Sequence, residues 1–380
     1  MKATKLIMEF IVSEKAGGLI LIICTVGSLL IANSSIGNSY LQCWHIQFAG
    51  NSIEYWINEG LMTIFFLLIG LELKRELYIG ELSSIKEAIL PVIAALGGMI
   101  IPASIYFLFN HGTLNSTGIG IPMATDIAFA LGVLSLLGKR VPLSLKIFLT
   151  ALAVIDDLGA VLVIAIFYTK TLLWINLLIA LCIFVILIIC NKLKIKNLIP
   201  YLIGGIAMWY FILHSGVHAT ISGVLLAFTI PLGNGSPQSS SYLLQHFIHK
   251  PVAFIILPVF ALANTAILLN FNLAAIITQH YSLGIALGLI IGKPLGIIIF
   301  TLLAIKSGIC KLPAGLNMQL IAGAGIIAGI GFTMSIFITL LAFSNETIIN
   351  NAKFIVLLSS FIAGCIGFIV LNIFMKEKTF

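Results

Sequence analysis

The chain has 380 residues, of which 60% are hydrophobic and only 9% are charged, and its mean hydropathy is +1.17. Soluble globular proteins carry roughly 25% charged residues, so this composition excludes a soluble domain and indicates a polytopic membrane protein. The net charge of +7 would suit a nucleic-acid-binding protein. The basic residues flank apolar segments, however, where they orient a protein in the bilayer, so membrane lipid is the expected partner and nucleic acid is not.

The six scattered cysteines contain no CxxC pattern and predict neither a disulfide framework nor a zinc site.

Twelve apolar segments are long enough to cross a bilayer, which takes about 20 mostly apolar residues. The predicted spans are 16–33, 55–73, 89–109, 119–137, 145–168, 172–190, 199–213, 215–230, 251–270, 282–305, 318–343 and 351–375. If the N-terminus is cytoplasmic, 17 Lys and Arg residues lie on the cytoplasmic side, only Lys170 and Lys353 lie outside, and Lys293 falls within a span. This asymmetry predicts cytoplasmic N- and C-termini and a single all-α transmembrane domain over residues 1–380.

The longest external loop, 34–54, contains most of the sequence WHIQFAGNSIEYW, in which apolar and polar residues alternate on both sides of Gly50 and Asn51. This pattern predicts a small β-hairpin at 42–56. Two interpretations stay open at this point. The hairpin is either a stiff connector, which the loop sequence favours slightly, or an edge that pairs with a second copy of the protein.

The chain contains only three aspartates, Asp126, Asp156 and Asp157, and all three lie within predicted spans. An ionisable residue at the bilayer centre costs about 2.5–3.5 kcal/mol on insertion scales and usually marks an ion or proton route, although a carboxylate can also serve only to hold helices together. Adjacent helical residues point about 100° apart, while their Cα atoms are only ~3.8 Å apart. Asp156 and Asp157 can therefore line one cavity and titrate jointly, and such a pair can hold either protons or a hard cation.

Two spans contain glycines just before a threonine, and both are predicted to be discontinuous. The first is GIGIPMATDIAFALG (118–132), with Thr125 and Asp126 after the glycines, and the second is GAGIIAGIGFTMSIF (323–337), with Thr333 after them. Close helix packing is the alternative explanation for either glycine cluster alone. Interrupted spans in both halves of a chain, however, are typical of an inverted-repeat transporter with a binding site at mid-membrane. Asp126 is then a candidate to offset the partial positive charge of half-helix N-termini.

Lys293 lies in LIIGKPLGIIIF, with about ten apolar residues on either side. It is too deep for its ammonium group to reach the membrane surface easily, so it requires a buried partner. We expect an ion pair with Asp156 or with Asp157, and the sequence leaves the choice between them open.

Six stretches, extending over about three quarters of the chain, occur together in this sequence. They are FFLLIGLELKREL (65–77), PMATDIAFALGVLSLLGKRVP (122–142), AVIDDLGA (153–160), SGVHATISG (215–223), GKPLGI (292–297) and GIGFTMSIFI (329–338). In content and order they resemble the NhaA-type bacterial sodium/proton antiporters. TDIAFALG and IDDLGA in consecutive spans are the most specific of these motifs.

The resemblance implies roles for the membrane-embedded polar residues. Asp156 and Asp157 would bind the transported cation and protons as metal and proton ligands, with Thr125 as a further ion-binding residue. Asp126 would compensate helix-end charge, and Lys293 would take part in proton coupling opposite the aspartate pair.

The resemblance also implies regulation by pH through charged groups at a cytoplasmic funnel. The matching residues are Glu72, Arg75, Glu76, His246 and His249. Gln245 stands where the family pattern often has a glutamate, which leaves the pH threshold of this chain open. Glu59 stands where the pattern has an aspartate, and His218 is either a packing residue or a sensor.

In architecture, the resemblance implies inverted repeats with two discontinuous crossing helices at the fourth and eleventh spans. A core bundle would comprise about 89–168 and 282–375, and an interface part about 16–73 and 172–270. The external hairpin at 42–56 would take part in a homodimer in the bacterial inner membrane.

The expected function is pH-regulated, electrogenic export of Na⁺, with Li⁺ as a second cation, in exchange for external H⁺. No cofactor is expected apart from these transported ions, and the protein is expected to be a secondary transporter and not an enzyme.

One alternative is an intramembrane aspartyl protease in which Asp126 and Asp157 share a proton. Such enzymes have a GxGD-type site, whereas LAVI precedes Asp156 here. A proton-driven carrier of another cation, or a channel, is the alternative within transport.

Overall fold

Most of the chain is helical in the computed structural model of the protein, which describes residues 2–169, 172–233, 236, 238–268 and 273–376. A ten-residue 3₁₀ helix, Leu114–Met123, precedes helix α5. The helices are α1 (Lys2–Ala32), α2 (Gly37–His45), α3 (Ile53–Tyr78), α4 (Ile85–Asn110), α5 (Ile127–Leu136), α6 (Leu143–Phe167), α7 (Trp174–Lys192), α8 (Ile199–Leu213), α9 (Ile221–Thr229), α10 (Ser240–Asn264), α11 (Leu273–Ile277), α12 (His280–Lys306), α13 (Met318–Ala328), α14 (Phe332–Ala342) and α15 (Glu346–Lys376).

Seven of the described helices are long and apolar enough to cross a membrane, and the number rises to ten if each of three bent helix pairs counts as one span. The seven are α3, α4, α6, α7, α10, α12 and α15. The bent pairs are α1 with α2, the 3₁₀ helix with α5, and α13 with α14. The structure is therefore that of a polytopic membrane protein, while the count of twelve spans stays a prediction. The two remaining predicted spans correspond to the short helices α8 and α9.

The span predicted at 215–230 is helical only over α9, because residues 215–220 form turns and bends. Gly216 has a φ of +87°, a left-handed conformation that ends a helix. Apolar composition continues through this segment, so hydropathy alone could not show that its backbone is irregular.

The span predicted at 251–270 begins earlier and ends earlier than expected, since α10 comprises Ser240–Asn264. The Ser239 side chain accepts a hydrogen bond from Tyr242 N (3.4 Å) and caps the helix. Pro251 lies within α10 and is accommodated directly before a π-turn, Val252–Ile256.

The predicted hairpin is reduced to two residue pairs. Strand β1 (Gln47–Phe48) and strand β2 (Asn51–Ser52) are antiparallel, with Gln47 opposite Ser52 and Phe48 opposite Asn51. The turn is at Ala49 and Gly50, which have φ values of +48° and +86°, and not at Gly50 and Asn51 as the alternation suggested. The flanks of the predicted range 42–56 are helical instead, because Ser52 accepts a hydrogen bond from Tyr55 N (3.2 Å) and starts α3.

Both predicted helix interruptions are present. Residues 124–126 are extended between the 3₁₀ helix and α5, which bend by 43°, and residues 329–331 separate α13 from α14, which bend by 46°. The two interruptions contact each other, since Asp126 N donates a hydrogen bond to Ile330 O (2.7 Å). Backbone groups that a continuous helix would satisfy internally are thus available to side chains at this contact.

Helices α4 and α12 approach closely at two glycines. A Cβ atom on Gly97 would collide with the carbonyl oxygen of Gly296, and a Cβ on Gly296 would collide with that of Gly97. Small residues permit such close approach between membrane helices. The contact holds α12, the helix that carries Lys293, directly against α4.

Candidate functional site

Five polar side chains singled out from the sequence are buried together around the helix interruptions. Asp156 and Asp157, in the middle of α6, are each 1% exposed, and Asp126 is 2% exposed. Lys293 and Thr125 are completely buried. All five lie in or beside elements that contact one another, so the structure gathers them in one region of the bundle.

Lys293 forms an ion pair with Asp156, which decides the choice that the sequence left open. The Nζ atom lies 2.9 Å from Asp156 Oδ2, and both side chains are fully enclosed. Nζ also donates a hydrogen bond to the carbonyl of Met123, the last residue of the 3₁₀ helix. A cation at a helix C-terminus is favourable because the terminal carbonyls carry partial negative charge.

The position of Lys293 follows from the local sequence GKP. A π-turn, Gly288–Gly292, ends immediately before Lys293. The following Pro294 has no backbone N–H, so a regular α-helix would leave the carbonyl four residues earlier without its donor. A π-turn is one way in which a helix adapts to such a defect, and π-turns occur often at functional sites.

Thr125 connects the aspartate pair to the second interrupted helix. Its Oγ1 lies 2.7 Å from Asp156 Oδ2 and 2.9 Å from the carbonyl oxygen of Ala328, the last residue of α13. A hydroxyl group carries one hydrogen, so these two acceptors share a single donor. The extended conformation at 124–126 is what lets Thr125 reach both of them.

Two carboxylate oxygens at the site have no hydrogen-bond partner among the described residues, Asp156 Oδ1 and Asp157 Oδ1, and both are buried. Buried polar atoms without partners are rare, and each calls for an explanation such as an ion or a proton. Carboxylate oxygens are the ligands that hard cations prefer, and they are also proton acceptors. The donor set therefore fits the exchange of a small cation against protons.

Asp126 caps two helices at once. Its Oδ1 accepts a hydrogen bond from Phe129 N (2.9 Å) at the start of α5. Its Oδ2 accepts hydrogen bonds from Thr333 N (3.1 Å) and Thr333 Oγ1 (2.5 Å) at the start of α14. A carboxylate between two helix N-termini is electrostatically favourable. This arrangement suits a charge-compensating residue and not one half of a proton-sharing catalytic dyad.

The residues matched to a pH-sensing funnel lie on two helices, α3 and α10. Arg75 Nη2 lies 3.1 Å from Glu76 Oε1 near the end of α3, and Glu72, one turn earlier, is 6% exposed. Glu72 is close enough to Asp157 to interact with it electrostatically. On α10, the His246 ring stacks on that of Tyr242 with 6.1 Å between centroids, and His249 lies one turn further along.

A small crevice brings the two groups of candidate pH-sensing residues near each other. It is lined by Arg75 from α3 and by Tyr242 and Gln245 from α10. Gln245, the residue that departs from the family pattern, is 6% exposed. The regulatory role of this region stays a prediction.

Two polar contacts that the sequence did not predict involve Lys74 and Glu59, at opposite ends of α3. Lys74 Nζ donates to the carbonyls of Phe228 (2.8 Å) and Ile230 (2.6 Å) at the end of α9, although its position at the end of an apolar span had indicated only a topological role. Glu59 Oε1 lies 3.2 Å from His218 Nδ1. An acidic residue in an apolar span was a usable signal for Glu59, whereas no comparable signal marked Lys74.

Among the residues that the structure describes, no group of three or more His, Cys, Asp or Glu side chains is arranged to hold a metal ion. A cation at Asp156 and Asp157 would therefore need neutral oxygen ligands as well, and Thr125 Oγ1 is adjacent.

Comparison with known proteins gives one consistent result. The family model described as Na⁺/H⁺ antiporter 1 matches residues 8–371. A Flavobacterium psychrophilum protein named Na⁺/H⁺ antiporter NhaA is 68% identical over 377 residues, which is 99% of this chain and 98% of the relative. Proteins of the same name from Cytophaga hutchinsonii and Dechloromonas aromatica are 57% and 54% identical, each over 99% of this chain and over 97% and 98% of the relative.

Replacing Asp126 by alanine should destabilise the protein more than the loss of a single helix cap does. Asp126→Ala removes the acceptor of three donors on two helices, and one N-cap contributes about 0.5–2 kcal/mol. Asn317→Ala is the matched control, because the Asn317 side chain caps only α13 through Leu320 N (2.8 Å). Thermal unfolding in detergent measures both variants. Equal decreases in the melting temperature of the two variants would contradict the double-capping role.

Proposed function

Because this chain belongs to the Na⁺/H⁺ antiporter 1 family, we propose that it exports Na⁺, and Li⁺ as a second cation, in exchange for external H⁺. Family membership itself supports Na⁺/H⁺ exchange and groups the chain with multi-pass membrane transporters, not with enzymes. The proposal adds the mechanism: protons and the cation compete for one site at Asp156 and Asp157. No cofactor enters this mechanism apart from the transported ions.

One observation carries the proposal: a buried carboxylate engaged by a lysine lies next to a second buried carboxylate that has no ion-pair partner among the described residues. Asp156 Oδ2 is occupied by Lys293 and Thr125, whereas Asp157 Oδ1 is buried without a hydrogen-bond partner among the described residues. Two adjacent carboxyl groups in a low-dielectric region do not readily ionise together. Binding of a cation therefore requires proton release, which couples the two fluxes.

In the proposed cycle, the site loses protons to the cytoplasm and takes up the cation through Asp157 with Asp156 as second ligand. The Lys293–Asp156 ion pair loosens when the cation arrives, because both positive charges compete for the same carboxylate. The core bundle then moves against the interface part and opens the site outward, where protons displace the cation. Activity should therefore rise as the internal pH rises.

Electrogenic exchange follows if more than one proton returns for each Na⁺. Asp156, Asp157 and Lys293 are three titratable groups at one site, so the site can carry more than one proton per cycle. Asp126 remains a fixed charge in this scheme, since its two oxygens are engaged at helix N-termini. The membrane potential would then help to drive Na⁺ export.

We place the protein in the bacterial inner membrane with cytoplasmic N- and C-termini, on the strength of the distribution of Lys and Arg. Strands β1 and β2 form a two-stranded sheet, and the edge of a sheet can pair with another chain. A homodimer formed partly through this hairpin is therefore part of the proposal.

Asp157→Asn should reduce sodium-dependent proton movement in proteoliposomes or everted vesicles by at least about 100-fold, which corresponds to ~2.8 kcal/mol. The amide cannot release a proton and is a weaker cation ligand than a carboxylate. Glu346→Gln makes the same chemical change at an exposed position of α15 and should leave the flux unchanged. Normal sodium-driven proton flux in Asp157→Asn would show the central claim to be wrong.

Lys293→Ala should make the residual exchange less sensitive to membrane voltage, because the variant lacks one of the three titratable groups at the site. The measurement is the sodium-dependent proton flux in proteoliposomes at several imposed potentials. Lys306→Ala, at the exposed end of the same helix, serves as the control. Voltage dependence identical to that of the unmodified protein would remove Lys293 from proton coupling.

Replacing both His246 and His249 by alanine should move the pH of half-maximal exchange downward by about half a unit or more. An imidazole can take up a proton and carry positive charge, and positive charge on these residues would oppose the entry of a cation from the cytoplasm. His214→Ala, at the exposed end of α8, is the matched control. An unshifted profile in the double variant would exclude the two histidines as pH sensors.

A further inference from the structure

Another buried lysine, Lys353, lies far along the chain from the aspartate pair. The sequence placed Lys353 on the external side, at the start of the span predicted at 351–375; in the structure it belongs to α15 and is only 5% exposed. A buried ammonium group is costly unless other groups compensate its charge. The identity of its partners therefore matters.

The partners of Lys353 come from two other helices. Its Nζ atom lies 3.8 Å from Glu54 Oε1, in the first turn of α3, and 3.5 Å from Asn264 Oδ1, in the last residue of α10. The Asn264 amide nitrogen donates to Asn58 Oδ1 (2.9 Å) and to Phe260 O (3.0 Å). These bonds fix the amide so that its oxygen faces the lysine.

The helix that carries Lys353, α15, packs mainly against helices other than α3 and α10, which supply the partners of Lys353. α15 contacts α12, α13 and α14, which hold Lys293 and the second helix interruption. Glu54 and Asn264 lie instead on α3 and α10, which Asn58 ties together. In the proposed division of the molecule, Lys353 therefore reaches from the core bundle (89–168 and 282–375) to the interface part (16–73 and 172–270).

The geometry suits a contact that forms and separates repeatedly. Distances of 3.8 and 3.5 Å are longer than those of a tight charged hydrogen bond, for which about 2.7–2.9 Å is usual. The Glu54 side chain is 22% exposed, so water can replace the lysine there once the contact opens. Glu54 also lies 4.0 Å from the exposed side chain of His45, at the end of α2 beside the hairpin.

We propose that Lys353, held by Glu54 and Asn264, is a latch that closes the hairpin side of the transporter and must open in every cycle. This inference rests on the proposed exchange by movement of a core bundle, and it identifies a contact that has to separate during that movement. Lys353 then acts as a positioning residue and does not bind the transported cation.

A reversible cross-link between the core bundle and the interface part tests the latch. Glu54→Cys and Lys353→Cys are introduced together after replacement of the native cysteines, and the pair is joined with a cleavable bis-methanethiosulfonate reagent. The native cysteines to be replaced are Cys24, Cys43, Cys182, Cys190, Cys310 and Cys365. The cross-linked protein should lose sodium-dependent proton flux by at least tenfold and regain it when the link is reduced.

The control is a matched cross-link between two helices that both belong to the proposed core bundle, α12 and α15. Asn351 lies on α15, as Lys353 does, and its amide donates to Tyr281 Oη (3.1 Å) on α12. The Asn351→Cys and Tyr281→Cys pair should therefore keep its flux when joined by the same reagent. Equal flux before and after cross-linking of the Glu54–Lys353 pair would overturn the latch while leaving the exchange itself intact. Absence of flux in the cysteine-free parent, with the protein correctly folded, would instead count against the proposed function.

A second measurement does not depend on the paired cysteines. Lys353→Gln and Glu54→Gln each weaken the contact, so an external, membrane-impermeant thiol reagent should label Asn58→Cys at least threefold faster in either background. Glu346→Gln, on the same helix as Lys353 but exposed, should leave the labelling rate unchanged. Equal labelling rates in all backgrounds would also overturn the proposal.

Discussion

The site depends on one physical constraint: an ammonium group and a carboxylate are held together where water is excluded. Removing each ion from water costs several kcal/mol, and their mutual attraction offsets this only with good geometry and additional hydrogen bonds. Lys293 and Asp156 meet that requirement at 2.9 Å, with the Met123 carbonyl and the Thr125 hydroxyl as further partners. A regular helix has no free backbone groups in its middle, so the interruptions supply what the ion pair needs.

The two interruptions therefore stabilise charges of both signs, because one exposes helix carbonyl groups and amide groups are exposed at the helix starts that follow both. The carbonyl end of the 3₁₀ helix faces Lys293, while the amide ends of α5 and α14 face Asp126. Positive and negative side chains are each matched by partial charges of the backbone. The polar backbone that a membrane normally excludes is tolerated here because the protein itself surrounds it.

Much of this arrangement could be read from the sequence, because its signals are rare in membrane spans. Three aspartates in spans, two glycine clusters before threonines and a deep lysine predicted the site, and the interruptions lie where the glycines indicated. The sequence could not assign Lys293 to Asp156, because adjacent residues differ by a rotation of about 100° that only the packing of α6 fixes. It gave no indication of the partners of Lys353, since a lysine at the start of an apolar run resembles an ordinary flanking charge. The hairpin was shifted because Ala49 adopts a left-handed conformation that is uncommon for a non-glycine residue.

The sequence separation of the contacts at the site has a consequence for biosynthesis. Thr125 bonds to a residue 203 positions later, and Asp126 bonds to Thr333, 207 positions later. When α5 and α6 enter the membrane during translation, their three carboxyl groups have neither Lys293 nor the α14 amides as partners. This cluster of polar side chains therefore cannot assemble before nearly the whole chain has been inserted, and a truncated product would retain uncompensated polar groups in the bilayer. Quality-control proteases that recognise polar residues within membranes could use that difference to distinguish unfinished chains from complete ones.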